Sequence, residues 1–259
     1  MRPSSLPRSL SLLLSCGLGL SLLPAAARAV PLGAAQGFTI LGGSTVTNTG
    51  LTVLDGDIGV WPGAAITGFP PGVVAGALHF GDPIAMAAHN DATAAYASLA
   101  ALVPTTTLSG TDLGGLILTP GVYFFASSAA LTGILTLNAM GDPNAEFIFQ
   151  IGSTLTSATG ASVRTIGGAD GCNVYWQVGS SATLGTLTTF QGTIIAQASI
   201  TLTTGVTITD GRALALTGAV TLDTNRVASD CLIPAPGTGA LLLACGMGMG
   251  VRRRRVLGV

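Results

Sequence analysis

Polar and apolar residues alternate along much of this chain, most clearly in the stretch "ASITLTTGVTITDGRALALTGAVTLDTN" at residues 198–225. Near its start, Ile200 and Leu202 alternate with Ser199, Thr201 and Thr203. Successive side chains of a β-strand point to opposite faces, so the aliphatic residues are predicted to point inward and the hydroxyl residues outward. Glycine, asparagine and aspartate interrupt the alternation, as expected where tight corners join short strands.

One unit recurs along the chain at spacings of 19 to 27 residues. Each copy is a bulky strand, a corner of small residues and a strand rich in threonine. The copies are YFFASSAALTGILTL from Tyr123, FIFQIGSTLTS from Phe147, VYWQVGSSATLGT from Val174, TIIAQASITLTTG from Thr193 and RALALTGAVTLDT from Arg212. Repeats of this length are typical of solenoids. The pattern predicts a mostly β chain whose coils have three short strands and a triangular cross-section.

The residues before position 70 show the same alternation. The expected orientations are outward for Thr45, Thr47 and Thr52, and inward for Val46, Leu51 and Val53. A helical segment, "GDPIAMAAHNDATAAYASLAALVP", then divides the coils into two groups.

In that segment Asp82 is a suitable N-cap, Pro83 a suitable first helical residue, and Pro104 a terminator. The sequence therefore predicts one long helix over 83–103, packed along one face of the solenoid and parallel to its axis. Apolar residues at three- and four-residue steps would face the solenoid. They are Ile84, Ala88, Ala92, Ala95, Leu99 and Leu102.

Both ends of the chain carry apolar segments. Residues 1–29 have Arg2 and Arg8, then an apolar run and the cleavage pattern Ala27-Arg28-Ala29. This order predicts a secretory signal peptide, with a membrane anchor as the alternative. Residues 30–229 would form the solenoid domain. Residues 230–259 combine Pro234 and Pro236, a short apolar segment and the cluster Arg252, Arg253, Arg254 and Arg255.

This tail resembles the PEP-CTERM sorting signals of Gram-negative bacteria. In that family the tail holds an exported protein transiently in the inner membrane until a transpeptidase-like enzyme removes it. The resemblance implies a secreted or cell-surface protein; a permanent tail anchor is the alternative.

Composition excludes several classes of function. Charged residues make up 8% of the chain and the formal charge is −1, so a nucleic-acid partner is not expected. His79 and His89 are the only histidines and Glu146 the only glutamate. The sequence therefore predicts no enzyme, no cofactor and no metal site, although Asp55 and Asp57 leave weak Ca²⁺ binding as an alternative to a role in the turn. His89 is expected at the surface of the helix.

Two cysteines remain between the processed ends. Cys172 and Cys231 in an exported chain suggest one disulfide, with two free thiols as the alternative. Tyr175 and Trp176 could form a platform for a sugar, but Trp176 occupies a core position in the repeat alignment.

Several strings, in this order, resemble the secreted ice-binding proteins of bacteria, fungi and diatoms. They are STVTNTGLTVLDGDIGVWPG, HNDATAAYASLA, LTPGVYFF, GDPNAEFIFQIGSTL, GCNVYWQVGSSATLGT and GRALALTGAVTLDTN, within residues 32–227. The resemblance implies a right-handed, irregular β-solenoid with a long helix at its side, whose first and last coils adjoin. It also implies a broad flat ice-binding face. Thr204-Gly205-Val206-Thr207 fits the family motif Thr-Ala/Gly-x-Thr/Asn.

Two ladders of outward hydroxyl residues are candidate ice-binding sites. The preferred face contains Thr154, Thr156, Thr183, Ser199, Thr201, Thr203 and Thr221. The second choice contains Thr188, Thr204, Thr207 and Thr209. The alternative is that these threonines only form strands and keep the outer surface soluble.

The leading hypothesis is an exported, monomeric and non-enzymatic protein that binds ice. The competing hypothesis is a structural or adhesive module of the cell surface, for which extracellular polysaccharide is a possible partner.

Overall fold

The computed structural model describes residues 30–231. The predicted signal peptide, and the part of the predicted tail that contains Pro234, Pro236 and Arg252–Arg255, lie outside these residues. The described chain forms three parallel sheets, which we name A, B and C, and one long helix. Among residues 30–231, no helix is both long and apolar enough to cross a membrane.

Each full coil contributes one strand to each sheet, in the order A, B, C. Sheet A contains β1 (Phe38–Gly42), β4 (Asp57–Val60), β7 (Leu78–Phe80), β8 (Thr106–Thr107), β10 (Gly121–Phe125), β13 (Phe147–Ile151), β16 (Val174–Val178), β19 (Thr193–Ala196) and β22 (Ala213–Ala215). Sheet B contains β2 (Thr45–Thr49), β5 (Ala65–Thr67), β11 (Ala129–Leu131), β14 (Leu155–Ser157), β17 (Ala182–Leu184), β20 (Ile200–Leu202) and β23 (Val220–Asp223). Sheet C contains β3 (Val53–Leu54), β6 (Val73–Val74), β9 (Ile117–Leu118), β12 (Ile134–Asn138), β15 (Ser162–Ile166), β18 (Thr189–Gln191), β21 (Thr207–Thr209) and β24 (Arg226–Val227). The expected β-solenoid with three-sided coils is confirmed.

The coils do not stack in chain order. The last coil, β22 to β24, pairs with the first coil, β1 to β3, in all three sheets. Val46 lies opposite Val220, for example, and Ile40 lies opposite Ala213. The first and last coils therefore adjoin, as the resemblance implied, and the two coils before the helix extend every sheet.

Aliphatic and aromatic side chains fill the interior. Phe149 and Trp176 face each other in adjacent strands and stack with ring centroids 3.9 Å apart. Trp176 is fully buried, so it cannot serve as a sugar platform.

The helix α1 (Pro83–Ala100) covers sheet A. Asp82 caps it by accepting a hydrogen bond from the Ala85 backbone N–H, which, with His79, lowers the pKa of the Asp82 carboxyl. The predicted end at residue 103 is wrong, because Gln150 Nε2 donates to the carbonyl oxygens of Leu99 and Leu102 and closes the last turn there.

The predicted inner stripe of α1 needs two corrections. Ile84 and Leu102 are exposed, at 55% and 38%, whereas Ala85 is buried. The stripe that packs on sheet A is Ala85, Ala88, Ala92, Ala95 and Leu99. Because these residues are mostly alanines, the helix lies close to the outer side chains of sheet A, such as Ile148 and Ile195.

The sequence suggested that His89 is a surface residue without a specific contact, and this prediction is wrong. Its Nε2 lies 2.6 Å from the carbonyl oxygen of Leu216, at the corner between sheets A and B. This contact joins the middle of α1 to the last coil.

One predicted strand orientation is also wrong. Thr52 is fully buried, whereas Leu51 and Val53 are 69% and 40% exposed. The Thr52 hydroxyl donates to Asn48 Oδ1 and accepts from the Asn225 backbone N–H. Partners from two adjacent coils satisfy the hydroxyl inside the fold, so the aliphatic neighbours of Thr52 point outward.

Candidate functional site

A single row of threonines runs across the outer face of sheet B. Successive strands place these residues directly opposite one another, with Ala130 at one end of the row. In spatial order the threonines are Thr156, Thr183, Thr201, Thr221, Thr47 and Thr67. Adjacent strands are about 4.8 Å apart, so six threonines span about 24 Å.

A row of small residues lies on each side of the central threonines, two positions earlier and two positions later along the strands. The earlier row is Ser128, Thr154, Ser181, Ser199, Ala219, Thr45 and Ala65. The later row is Thr132, Ala158, Gly185, Thr203, Asp223 and Thr49. It ends there, because the chain turns at Gly68 (φ 83°) after Thr67, and Phe69 packs against the core. Rows along a strand are about 6.7 Å apart. Because nearly every side chain is the size of threonine or smaller, the face is flat.

Neighbouring protein groups hold several hydroxyls in place. Thr154 Oγ1 donates to Ser128 Oγ at 2.8 Å, and Thr203 Oγ1 donates to the Leu184 carbonyl at 2.8 Å. In the central row, by contrast, no protein group of the described chain hydrogen-bonds the hydroxyls of Thr156, Thr183 or Thr201. Those hydroxyls are therefore free to order water.

Charge is nearly absent from this face. Among the residues that the structure describes, two charged side chains border its three rows. Asp223 lies at one edge of the face, and Asp112 pairs with Ala130 at the end of the central row. The Asp223 carboxylate accepts hydrogen bonds from the hydroxyls of Thr204 and Thr224.

All seven residues of the preferred ladder lie on the outer face of sheet B. Sequence reasoning missed Thr47 and Thr67, which extend the central row by two strands. For Thr47 the signal was available, because this residue was expected to point outward and the resemblance implied that the first coil adjoins the last.

The second candidate face needs a correction. Thr188 is fully buried, and its hydroxyl lies 2.8 Å from Ser157 Oγ. The next residue, Thr189, takes the outward position on sheet C, opposite Thr207. The partner of the buried Thr188 hydroxyl, Ser157, comes from the preceding coil. The local alternation of polar and apolar residues therefore did not reveal this shift of one residue.

The outer face of sheet C also carries more charged and protruding side chains than the outer face of sheet B. Arg226 lies beside Thr207, Arg164 lies beside Thr136, and Ile134 is 45% exposed. The motif Thr204-Gly205-Val206-Thr207 turns the corner from sheet B to sheet C, with Gly205 at φ 73°. In this protein the motif is therefore a corner and not part of the flat face.

Asp55 and Asp57, the residues of the alternative Ca²⁺ site, have structural partners. Asp55 Oδ2 accepts from the Ser229 N–H and Asp57 Oδ1 from the Ala77 N–H, so both fix loops. Within residues 30–231 no group of histidine, cysteine, aspartate or glutamate side chains is placed to hold a metal ion. Cys172 and Cys231 form a disulfide with a Cα–Cα distance of 5.4 Å.

Comparison with known proteins yields one family. The family model described as Ice-binding-like matches residues 40–228. The ice-binding protein of Nostoc sp. (strain HG1) is 54% identical over 224 residues, which cover 83% of each chain.

Solved structures agree with this match. An ice-binding protein from an Antarctic biological consortium aligns with a TM-score of 0.76 at 49% identity, covering 80% of this chain and 94% of that chain. An ice-binding protein from the Antarctic ascomycete Antarctomyces psychrotrophicus aligns with a TM-score of 0.74 at 41% identity, covering 78% of this chain and 98% of that one.

Proposed function

Since this chain belongs to the ice-binding-like family, we propose that it binds ice crystals through the outer face of sheet B. The observation that carries the proposal is the unbroken row of six threonines, with small neighbours on both sides. The face needs no catalytic group, cofactor or metal.

The geometry suggests how such a face would act. Hydroxyls and methyls repeat every 4.8 Å or so across the strands and every 6.7 Å or so along them. Methyl groups restrict where water can sit, and hydroxyls anchor that water in an ordered layer. Each contact is weak, so many must act together. The parallel strands hold the side chains in place before binding, which keeps the entropic cost of binding low.

The other two faces are less suitable. Sheet A is covered by α1. Sheet C carries Arg164 and Arg226 and exposed aliphatic side chains such as Val53 and Val73. A charged or protruding side chain would orient water differently and keep a flat crystal face at a distance.

The two ends of the sequence suggest where the protein acts. We propose that residues 1–29 direct export and are removed, that residues 30–229 form the ice-binding domain, and that residues 230–259 act as a PEP-CTERM-like sorting tail. Through that tail a Gram-negative bacterium would hold the protein at the inner membrane until a transpeptidase releases it. The protein would then act as a monomer at the cell surface or in the polysaccharide matrix.

The competing idea of a purely structural or adhesive module gains no support from the relatives described above, each of which is named as an ice-binding protein.

A matched pair of substitutions tests the proposed face. Thr201→Tyr places a bulky side chain in the middle of the central row, whereas Thr207→Tyr places the same side chain on sheet C. We expect T201Y to raise the concentration needed to inhibit ice recrystallisation by about tenfold or more, equivalent to losing about 1.4 kcal/mol of binding. T207Y should behave like the unmodified protein. Equal activity of T201Y and the unmodified protein, with both folded by circular dichroism, would refute the proposed face.

A further inference from the structure

A cavity of about 720 Å³ lies at the corner where sheet C meets sheet A, away from sheet B. The segments that precede β1, β13, β16 and β22 form its walls. Its lining includes Val30, Glu146, Tyr175 and Arg212. The ice-binding face does not use this cavity.

Negative charge predominates in the cavity. Four carboxylates line it, those of Glu146, Asp170, Asp210 and Asp230, against the single guanidinium of Arg212. Arg212 is 2% exposed and donates from Nε and Nη2 to the Gln36 carbonyl oxygen, at 3.1 and 2.8 Å. Among the described residues, no ion pair joins an arginine to a carboxylate.

Two of these carboxylates lack a compensating cation. Burial raises the pKa of Glu146, and its Oε1 is buried without a hydrogen-bond partner in the described chain. Burial and the charges of Asp170 and Asp230 raise the pKa of Asp210. Both raised pKa values mean that the cavity, without a further cation, disfavours the ionised forms of Glu146 and Asp210.

The first described residue lies in the same cavity. Burial and the charge of Glu146 raise the pKa of Tyr175 to about 12, while the charge of Arg212 and, to a smaller extent, a hydrogen bond from the Val30 backbone act in the opposite direction. Val30, Tyr175 and Glu146 therefore line the same cavity, with the unpartnered Oε1 of Glu146 buried beside it.

We propose that this cavity binds the chain's own α-ammonium group, which forms at Val30 when the leader is removed after Ala29, with the Glu146 carboxylate as counter-ion. The proposal rests on the cleavage site proposed above. While the leader is attached, the Val30 nitrogen is a neutral amide and Glu146 has no cation. After cleavage the same nitrogen carries a positive charge, so removal of the leader stabilises the folded domain.

Composition makes this cation unusually important. The chain contains no lysine, and residues 30–231 contain three arginines against eleven carboxylates. The α-amine is therefore the only primary amine after processing. In a partly buried pocket with excess negative charge, its pKa should rise above the usual value of about 7.7–8.0.

The absence of lysine also provides a clean experiment. Residues 30–259 are produced from a fusion whose protease leaves no residue before Val30, and a control chain carries Gly-Ser before Val30. The pH dependence of acetylation by an N-hydroxysuccinimide ester reports the pKa of this one amine. We expect it to lie about one unit or more above the usual value in the Val30 chain and at the usual value of about 7.7–8.0 in the control. An unshifted amine in the Val30 chain overturns the proposal.

Thermal unfolding gives a second readout. A raised folded-state pKa stabilises the protein below the unfolded pKa of the amine, and this stability disappears as the pH rises through the folded pKa. The Val30 chain should therefore melt at a higher temperature than its acetylated form at pH 7, and at the same temperature above pH 10 or so. Equal melting temperatures at pH 7 contradict the proposal.

Glu146→Gln tests the counter-ion, and Asp223→Asn, which removes the same charge on the far face, is its control. E146Q should return the amine pKa towards its usual value and remove the effect of acetylation, whereas D223N should change neither. The same preparations are assayed for inhibition of ice recrystallisation. A raised amine pKa without ice activity would refute the ice-binding proposal alone, and ice activity with an unshifted amine would refute this one alone.

Discussion

Thr47 lies directly opposite Thr221 in sheet B, with hydroxyl oxygens 3.5 Å apart, although 174 residues separate them in the chain. This pair joins the first coil to the last. Through it, the threonines of the two N-terminal coils continue the row built by the C-terminal coils.

The pair leads to a prediction about the N-terminal coils. Thr47→Tyr should impair inhibition of ice recrystallisation about as strongly as T201Y, because both residues occupy the central row. The control is Val53→Tyr on the following strand, whose side chain points outward from sheet C. If T47Y retains full activity, the ice-binding face stops at Thr221 and the N-terminal coils serve another purpose.

The buried hydroxyl at the same junction should matter for stability. Thr52→Val removes the donor to Asn48 and the acceptor of the Asn225 N–H. We expect the free energy of unfolding to fall by roughly 1–3 kcal/mol, because buried polar groups lose their partners. Urea unfolding measures this loss.

Thr189→Val, on the exposed outer face of sheet C, is the matched control and should change the free energy of unfolding by less than about 0.5 kcal/mol. A T52V protein as stable as the unmodified one would show that the two coils do not depend on this hydroxyl.

The contact between α1 and sheet A should respond to size. Ala92 is fully buried between them, so Ala92→Leu forces the helix away from the sheet. We expect a loss of about 1–3 kcal/mol in the free energy of unfolding, typical of overpacking. Ala94→Leu, on the exposed side of the helix, is the control. Equal stability of the two variants in thermal melts would mean that α1 packs loosely.

The sequence predicted the coils well, because a two-residue period and repeated aliphatic positions determine which side chains face the core. The two errors about threonine orientation share one physical cause. Thr52 and Thr188 both point inward, against the expected pattern, because each hydroxyl finds a polar partner in a neighbouring coil. A local pattern cannot show partners that lie far apart in the chain.

The candidate face shows the same limit. Threonines such as Thr183 and Thr201 belong to successive coils, so the repeat alone aligned them. Thr67 could not be aligned in this way, because its place depends on the docking of the first coils against the last one. On α1, both Ala85 and Ile84 fit a helical stripe, so no sequence pattern favours one over the other. Only close packing on sheet A distinguishes them.

The most direct test of the proposed ice-binding face is to measure binding to ice itself. The unmodified protein, T201Y and T207Y are each fused to a fluorescent protein, and the fraction incorporated into a slowly growing ice hemisphere is measured. We expect the unmodified protein and T207Y to enter the ice, while T201Y remains in the liquid, as the fluorescent protein alone does. Incorporation of T201Y to the same extent as the unmodified protein would contradict the proposal that the outer face of sheet B binds ice.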